Sequence, residues 1–283
     1  MNIAVIGLGL IGGSMAKTLK KNAPQHTVLG FDTNAQVMYK AKLLEAIDGE
    51  LTPERLGICD MVFVATWPKA AVAYVQEHAD QMKPGAWVID LCGVKRAVCE
   101  PLFAAAKERG FLFVGGHPMA GIEYSGFDHA TATLFDNASM ILTPPPGTDI
   151  QTLAELKHFF RGLGFARVVM TTPEEHDRVI GYTSQLAHVV SSAYVKSPEA
   201  MEHHGFSAGS FKDMTRVARL SEHMWTELFL LNREPLLGEL DALIAHLDEY
   251  RDALARADEE RLCALLREGS ERKEIVDRKD DEP

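Results

Sequence analysis

Ile3–Gly12 reads IAVIGLGLIG, and the fold follows from how this stretch is read. A short apolar run gives way without a linker to glycines spaced G-x-G-x-x-G, and the next residues, IGGSMAKTLKK (Ile11–Lys21), carry a helical pattern. In the order strand, turn, helix, each glycine has its own task. Gly7 permits the tight turn, Gly9 lets a ligand's pyrophosphate approach the backbone, and Gly12 lets helix and strand pack closely. Leu10 and Ile11 sit in the first helical turn, whose free amides face the phosphates. The spacing alone also fits a glycine turn that holds no nucleotide.

Outward from that turn, short β-branched runs alternate with helical ones: TVLGFD (Thr27–Asp32), MVFVAT (Met61–Thr66), AWVIDL (Ala86–Leu91) and FLFVGG (Phe111–Gly116). Alternation of this kind predicts a Rossmann-type α/β fold, a doubly wound, mostly parallel sheet with helices on both faces. Asp32 ends the second run at the distance where a carboxylate accepts hydrogen bonds from both ribose hydroxyls of NAD. It repels the 2'-phosphate of NADP, and Thr33 and Asn34 follow without an arginine. Thr66, after VFVA, is expected near the nicotinamide half.

TPPPG (Thr143–Gly147) reads as a loop, Ile150–Gly162 as a helix and ARVVM (Ala166–Met170) as a further strand. Beyond Thr172 the strand signals stop, so an all-α C-terminal domain over residues 172–283 is expected behind an NAD-binding domain over residues 1–171. Leu236, Leu240, Leu243, Ile244 and Leu247 recur at steps of three and four. That stripe suits either intrachain core or a helix given to a dimer. The charged end SERKEIVDRKDDEP (Ser270–Pro283) is expected to fray.

At 283 residues and 46% apolar content the chain has enough material for a large packed core. A net charge of -11 argues against nucleic-acid binding, so an anionic ligand needs a few placed cations. The start MNIAVIG carries no basic leader, and no run reaches the length of a membrane span, which points to a cytoplasmic protein without membrane attachment. Cys59, Cys92, Cys99 and Cys263 lack metal-ligand spacing, and His203 and His204 lack a third ligand, so no metal site is expected.

GGHPMAG (Gly115–Gly121) presents His117 between glycines and a proline at the expected carboxyl edge of the sheet, after a strand. Ligands of doubly wound sheets bind at that edge, and hydride transfer from an alcohol needs a base such as histidine for the hydroxyl proton. Further on, His188 lies four residues after Ser184 on one helical face. Lys212 and Arg216 are also four apart. Arg216 suits bidentate carboxylate binding, or equally an ion pair with Asp213.

Taken together, GLGLIGGS, DLCGVK (Asp90–Lys95), GGHPMAGIEYSGFDHATATLFDNASMILTP (Gly115–Pro144), SQLAH (Ser184–His188), SFKDMTRVA (Ser210–Ala218) and MWTELFLLN (Met224–Asn232) resemble the prephenate dehydrogenase family, which includes arogenate dehydrogenases of tyrosine biosynthesis. The resemblance implies that His117 is the catalytic histidine for the ring hydroxyl, that His188 matches a second histidine at the site, and that Arg216 binds a substrate carboxylate. Glu123 matches a position near the substrate. It also implies NAD-dependent oxidative decarboxylation of prephenate to 4-hydroxyphenylpyruvate, with arogenate as the alternative substrate, and a homodimer through the helical domain.

The chain departs from the family pattern at three positions. Gly93 stands where the family has a serine beside the catalytic histidine, which leaves water or another hydroxyl such as Ser125 for that role. Gln185 replaces the first histidine of S-H-L-P-H, and Lys212 replaces an arginine. Such losses also fit a sensor that binds NAD without turnover. No C-terminal regulatory domain is expected, while direct competition by tyrosine stays open.

Overall fold

The computed structural model describes residues 1–280. Its first part runs β1 (Asn2–Ile6), α1 (Leu10–Asn22), β2 (Thr27–Phe31), α2 (Ala35–Leu43), β3 (Gly49–Glu50), α3 (Pro53–Leu56) and β4 (Met61–Val64). It continues through α4 (Pro68–Glu77), β5 (Trp87–Asp90), α5 (Arg96–Arg109), β6 (Leu112–Met119), β7 (Ser139–Thr143), α6 (Ile150–Gly162) and β8 (Arg167–Met170). The strands form one sheet in the order β3-β2-β1-β4-β5-β6-β7-β8. Every pairing is parallel except β6 with β7. The doubly wound sheet read from the glycine stretch is therefore present, and the order reverses around β1, at whose carboxyl edge ligands of such sheets bind.

Alternation along β1 explains the two layers. Ile3 and Val5 face a core with Met15 and Leu19 of α1 and Phe160 of α6, whereas Ala4 and Ile6 face one with Val75 of α4 and Leu102 of α5. Since both faces are covered, the central strands are apolar throughout. Phe63 on β4 packs its ring against Phe159 and Phe160 of α6 with centroids 6.3 and 6.2 Å away.

Two features depart from the sequence reading. Ser139–Thr143, to which the sequence reading gave no strand and whose last residue it placed in the loop TPPPG, is the strand β7. As a result β6 does not stop at Gly116 but runs to Met119, so His117 lies within a strand rather than after one. The physical reason is a change of partner. Pairing with β5 ends at Ile89↔Val114, and antiparallel β7 takes over from Gly115↔Thr143 to Met119↔Ser139. This second ladder carries His117 past the end of β5.

The remaining elements are helical: α7 (Pro173–Ile180), a π-helical turn (Gly181–Leu186), α8 (Ala187–Tyr194), α9 (Gly209–Thr215), α10 (Glu222–Leu231), α11 (Arg233–Ala255) and α12 (Glu259–Asp280). Thr172 caps α7 by accepting from the Glu175 amide at 3.2 Å, with Pro173 at the first helical position. Contacts divide the chain into two compact units, Met1–Arg233 and Glu234–Pro283. Within the second, Tyr250 donates to the Leu265 carbonyl at 3.2 Å and Arg261 pairs with Glu249 at 3.1 Å. Leu236 of the expected stripe is buried, whereas Ile244 and Leu247 are exposed.

Over the described residues the charged end is helical. α12 reaches Asp280, held by i,i+4 pairs of Arg272 with Glu268 (2.9 Å), Lys273 with Asp277, and Arg278 with Glu274 (3.4 Å). The final three residues of that stretch, 281–283, lie outside the described part. No described helix is long and apolar enough to cross a membrane.

Candidate active site

The glycine turn is built by steric exclusion. Gly7 has φ of +81°, and a Cβ there would come within 2.7 Å of the Ala65 carbonyl oxygen. A Cβ on Gly12 would overlap the Gly7 carbonyl, so helix and strand meet only because that position is bare. By contrast, Gly9 faces open space, with nothing within 4 Å of a Cβ, where a dinucleotide's phosphates fit. Leu10 and Ile11 open α1 beside that space.

Asp32 braces the same turn from β2. Its Oδ2 accepts from the Leu8 amide and its Oδ1 from the Asn34 amide, each at 2.8 Å, which aims the carboxylate while leaving lone pairs for ribose hydroxyls. Thr66 follows β4 and packs its methyl toward Gly7, yet its buried Oγ1 has no partner among the described residues. An orphaned buried hydroxyl beside the glycine turn is a group that a bound dinucleotide would satisfy.

A buried polar cluster surrounds His117. Its Nδ1 lies 2.9 Å from His176 Nε2, and His176 Nδ1 lies 2.7 Å from Asp177 Oδ1. Asp177 is fully buried at the N-terminus of α5, where it accepts from the Lys95 amide at 2.7 Å and the Arg96 amide at 2.9 Å. Lys95 is also fully buried: its Nζ pairs with Asp90 and donates to the Gly116 carbonyl at 2.7 Å, one residue before His117. His117 Nε2 has no protein partner among the described residues.

The electrostatics follow from burial and these bonds. Loss of solvent, and then the charge His176 would carry if protonated and that of Lys95, hold His117 well below the usual histidine range. Burial also lowers His176, with Asp177 opposing. For Asp177 burial acts upward, but hydrogen bonds from His176 and the Arg96 and Lys95 amides outweigh it and keep the carboxyl low. At neutral pH the imidazoles are thus uncharged and the carboxylate ionised.

His188 on α8 stacks on Trp225 of α10, with centroids 4.0 Å apart, and directs Nδ1 to the Ser184 carbonyl at 2.8 Å. Burial and the positive charge of Arg216 lower its pKa, so Arg216 lies close enough to be felt. Arg216 follows α9, is exposed and makes no ion pair among the described residues; the alternative pairing with Asp213 is absent. Lys212 is exposed on the same helix.

Glu123 and Ser125 are exposed in the loop after β6. That loop is fastened to α1 further on: Thr131 N donates to Ser14 Oγ at 3.1 Å, and Lys17 donates to the Ala130 carbonyl at 2.7 Å while lying 4.4 Å from the Phe127 ring centre. Gln185 requires correction. Expected at the substrate, it is 1% exposed, with its amide spent on Asn232 (2.8 Å) and the Leu228 carbonyl (3.5 Å). It lies in the π-helical turn, buried, with both ends of its amide bonded to protein.

Cys92 does not replace the family serine either. It is buried, and its Sγ points to the Thr66 carbonyl at 3.4 Å. A Cβ on Gly93, however, would lie 3.9 Å from His117 Cε1 in ordinary contact, so the space of the missing side chain is open beside the histidine.

The sequence reading passed over His176, Asp177 and Asn232. Asn232 Nδ2 donates to the Asp177 carbonyl at 2.8 Å and so ties α10 to α7. The available signal was the His-Asp dipeptide in an otherwise surface-like helix start, PEEHD. Among the described residues no group of three or more His, Cys, Asp or Glu is placed to hold a metal ion.

Comparison with known proteins agrees with this geometry. Residues 15–170 match the family model for the prephenate dehydrogenase nucleotide-binding domain, and residues 172–268 match that for the prephenate dehydrogenase dimerization domain. A prephenate dehydrogenase of Bacillus subtilis is 34% identical, over 92% of this chain and 72% of its own. The structure of A. aeolicus prephenate dehydrogenase with hydroxyphenyl propionate and NAD+ superposes with a TM-score of 0.83 at 30% identity, covering 98% of each chain. Synechocystis arogenate dehydrogenase superposes at 0.80 with 28% identity, covering 98% of this chain and 100% of the other. With a cradle shaped for NAD at one end of the crevice and a buried histidine cluster at the other, the chain belongs to the prephenate dehydrogenase family of NAD-dependent oxidoreductases.

Proposed function

We propose that the chain catalyses the oxidative decarboxylation of prephenate to 4-hydroxyphenylpyruvate in tyrosine biosynthesis, working as a cytoplasmic homodimer whose helical half, residues 172–283, binds substrate and pairs the subunits. The observation that carries this reading is the His117 ring, fixed at Nδ1 and free at Nε2 beside the crevice. Gly7, Gly9, Leu10, Ile11, Gly12, Asp32 and Thr66 hold NAD, which when bound supplies the hydride acceptor.

His117 Nε2 takes the ring hydroxyl proton as hydride leaves the carbon bearing it. The ring carboxylate then departs as CO2, and its bonding pair completes the aromatic ring. Arg216, without an ion-pair partner among the described residues, holds a substrate carboxylate in a two-pronged contact, with Lys212 adding charge. His188, neutral and stacked on Trp225, offers Nε2 to the substrate from the helical side. Glu123 and Ser125 close the site from the loop fastened to α1.

The test follows NADH absorbance with prephenate and with arogenate, each with NAD and NADP. Turnover of prephenate with NAD is expected. Turnover of arogenate alone would favour the second reading, which rests on similarity to the Synechocystis arogenate dehydrogenase. NAD binding without turnover of either substrate would overturn both and leave a sensor.

A further inference from the structure

We propose that His176 and Asp177 are positioning residues that dictate which nitrogen of His117 carries its proton, and that His117 and His176 together form a two-imidazole relay which delivers the substrate's proton to the carboxylate end. The inference rests on His117 being the base. It begins at Asp177, the least ambiguous member.

Both Asp177 oxygens accept backbone amides at the start of the 14-residue helix α5, and the Arg96 guanidinium lies 3.6 Å away. A helix N-terminus and an arginine favour the ionised form, which can only accept hydrogen bonds. His176 Nδ1, 2.7 Å from that carboxylate, therefore carries a hydrogen. In a neutral ring the second nitrogen then has a lone pair, so His176 Nε2 is an acceptor. His117 Nδ1, 2.9 Å away, must in turn donate, and its Nε2, without a protein partner among the described residues, is left with the lone pair. A carboxylate two imidazoles away thus decides that His117 can act as a base.

The same chain says where the proton goes. As the substrate O–H bond breaks, an N–H bond forms at His117 Nε2. The hydrogen on Nδ1 then passes to His176 Nε2, so that His117 returns to neutrality and His176 becomes an imidazolium against Asp177. The relay itself changes no oxidation state; the hydride pair is the only pair that the substrate gives up. The charged groups facing the two rings are Asp177 on α7, Lys95 and Arg96 at the start of α5, and Asp90 at the end of β5; Lys95 and Asp90 neutralise each other, which leaves Asp177 as the carboxylate next to His176. The ring nearer the substrate lacks such a partner, so the charge is better placed on His176.

A proton already on His176 reverses the direction. Its Nε2–H then donates to His117 Nδ1, the remaining hydrogen of His117 moves to Nε2, and the base is lost. The acidic limb of the rate profile accordingly belongs to the pair, not to one ring.

The experiment uses the full chain with 15N-labelled histidine. In the wild type at pH 8, His117 is expected as the Nδ1–H tautomer; the Nε2–H tautomer would overturn the proposal without any variant. His176→Phe is expected to keep NAD affinity while kcat falls about 10- to 100-fold, as for other partners that orient a working imidazole. The acidic limb of its kcat profile is expected to move, and His176→Gln, whose amide oxygen accepts from His117 Nδ1, to restore part of the rate. A His176→Phe protein with wild-type kcat and pH profile, alongside an inactive His117→Asn, would sink the relay alone. An active His117→Asn would sink the base reading and the relay with it.

Discussion

The two ends of the crevice are made in opposite ways. At the β1–α1 turn the working groups are backbone amides, and side chains matter by being absent: Gly12 leaves room for the Gly7 carbonyl, and Gly9 leaves room for phosphates. At the far end of β6 the working groups are side chains, the buried Asp90, Lys95, His176 and Asp177 gathered around a half-buried His117. The first device uses consecutive residues. The second draws on residues from Asp90 at the end of β5 to Asp177 in α7. A nucleotide cradle can thus be read from one short stretch, whereas a buried proton path exists only once the chain has folded.

The sharpest way to break this contrast is His117→Asn. Its kcat is expected to fall by about 10²- to 10⁴-fold, the usual share of a positioned base, while NAD affinity by fluorescence titration stays unchanged. A loss of NAD affinity would mean that the two ends are not separate devices. Next comes Arg216→Ala, expected to weaken substrate binding by about 2 to 5 kcal/mol, as when one partner of a desolvated charge pair is removed. An unchanged KM would pass the role to Lys212.

A smaller effect separates the glycines themselves. Gly12→Ala is expected to lower stability in urea by about 1 to 3 kcal/mol, because the added methyl has no room. Gly9→Ala, with open space around it, is expected to stay within about 0.5 kcal/mol of wild type yet to bind NAD more weakly. Equal stability losses at both positions would end the distinction between a packing glycine and a ligand glycine.

The smallest effect is a pH slope. His117 and His176 are held below the ordinary histidine value, so as pH falls below about 6.5 the unfolded chain takes up protons first. Their contribution is complete above that pH and is lost as pH falls toward the folded values. The urea midpoint of the wild type is expected to drop from pH 7 to 5, and to drop less in His117→Asn. Parallel slopes would remove these histidines from the stability balance.

What was legible in the sequence divides along the same line. The sheet, the cradle and the presentation of His117 all came from runs in which neighbours in sequence are neighbours in function. β7 was missed because a strand of five residues, SMILT, leads straight into TPPPG, and the loop signal masked it. His176 and Asp177 were missed because their partners lie 59 and 82 residues away, at His117 and Lys95. Gln185 was expected at the substrate from the family resemblance alone, because it replaces the first histidine of S-H-L-P-H; its burial against Asn232, 47 residues away, is not legible from that stretch.

The buried Lys95–Asp90 pair also acts as a pin on strand alignment. Lys95 holds the Gly116 carbonyl and Asp90 Oδ1 accepts from the Gly116 amide at 3.2 Å, so both backbone groups of one residue are claimed by a single ion pair. A slip of β6 by one residue would turn His117 to the opposite face of the sheet and put Gly116 or Pro118 in its place. Such a slip would also strand two desolvated charges without their amide and carbonyl partners, a penalty large enough to make misalignment rare. The ion pair is thus an error check on assembly: a strand that has docked one step wrong is rejected before it can present the wrong residue to the crevice.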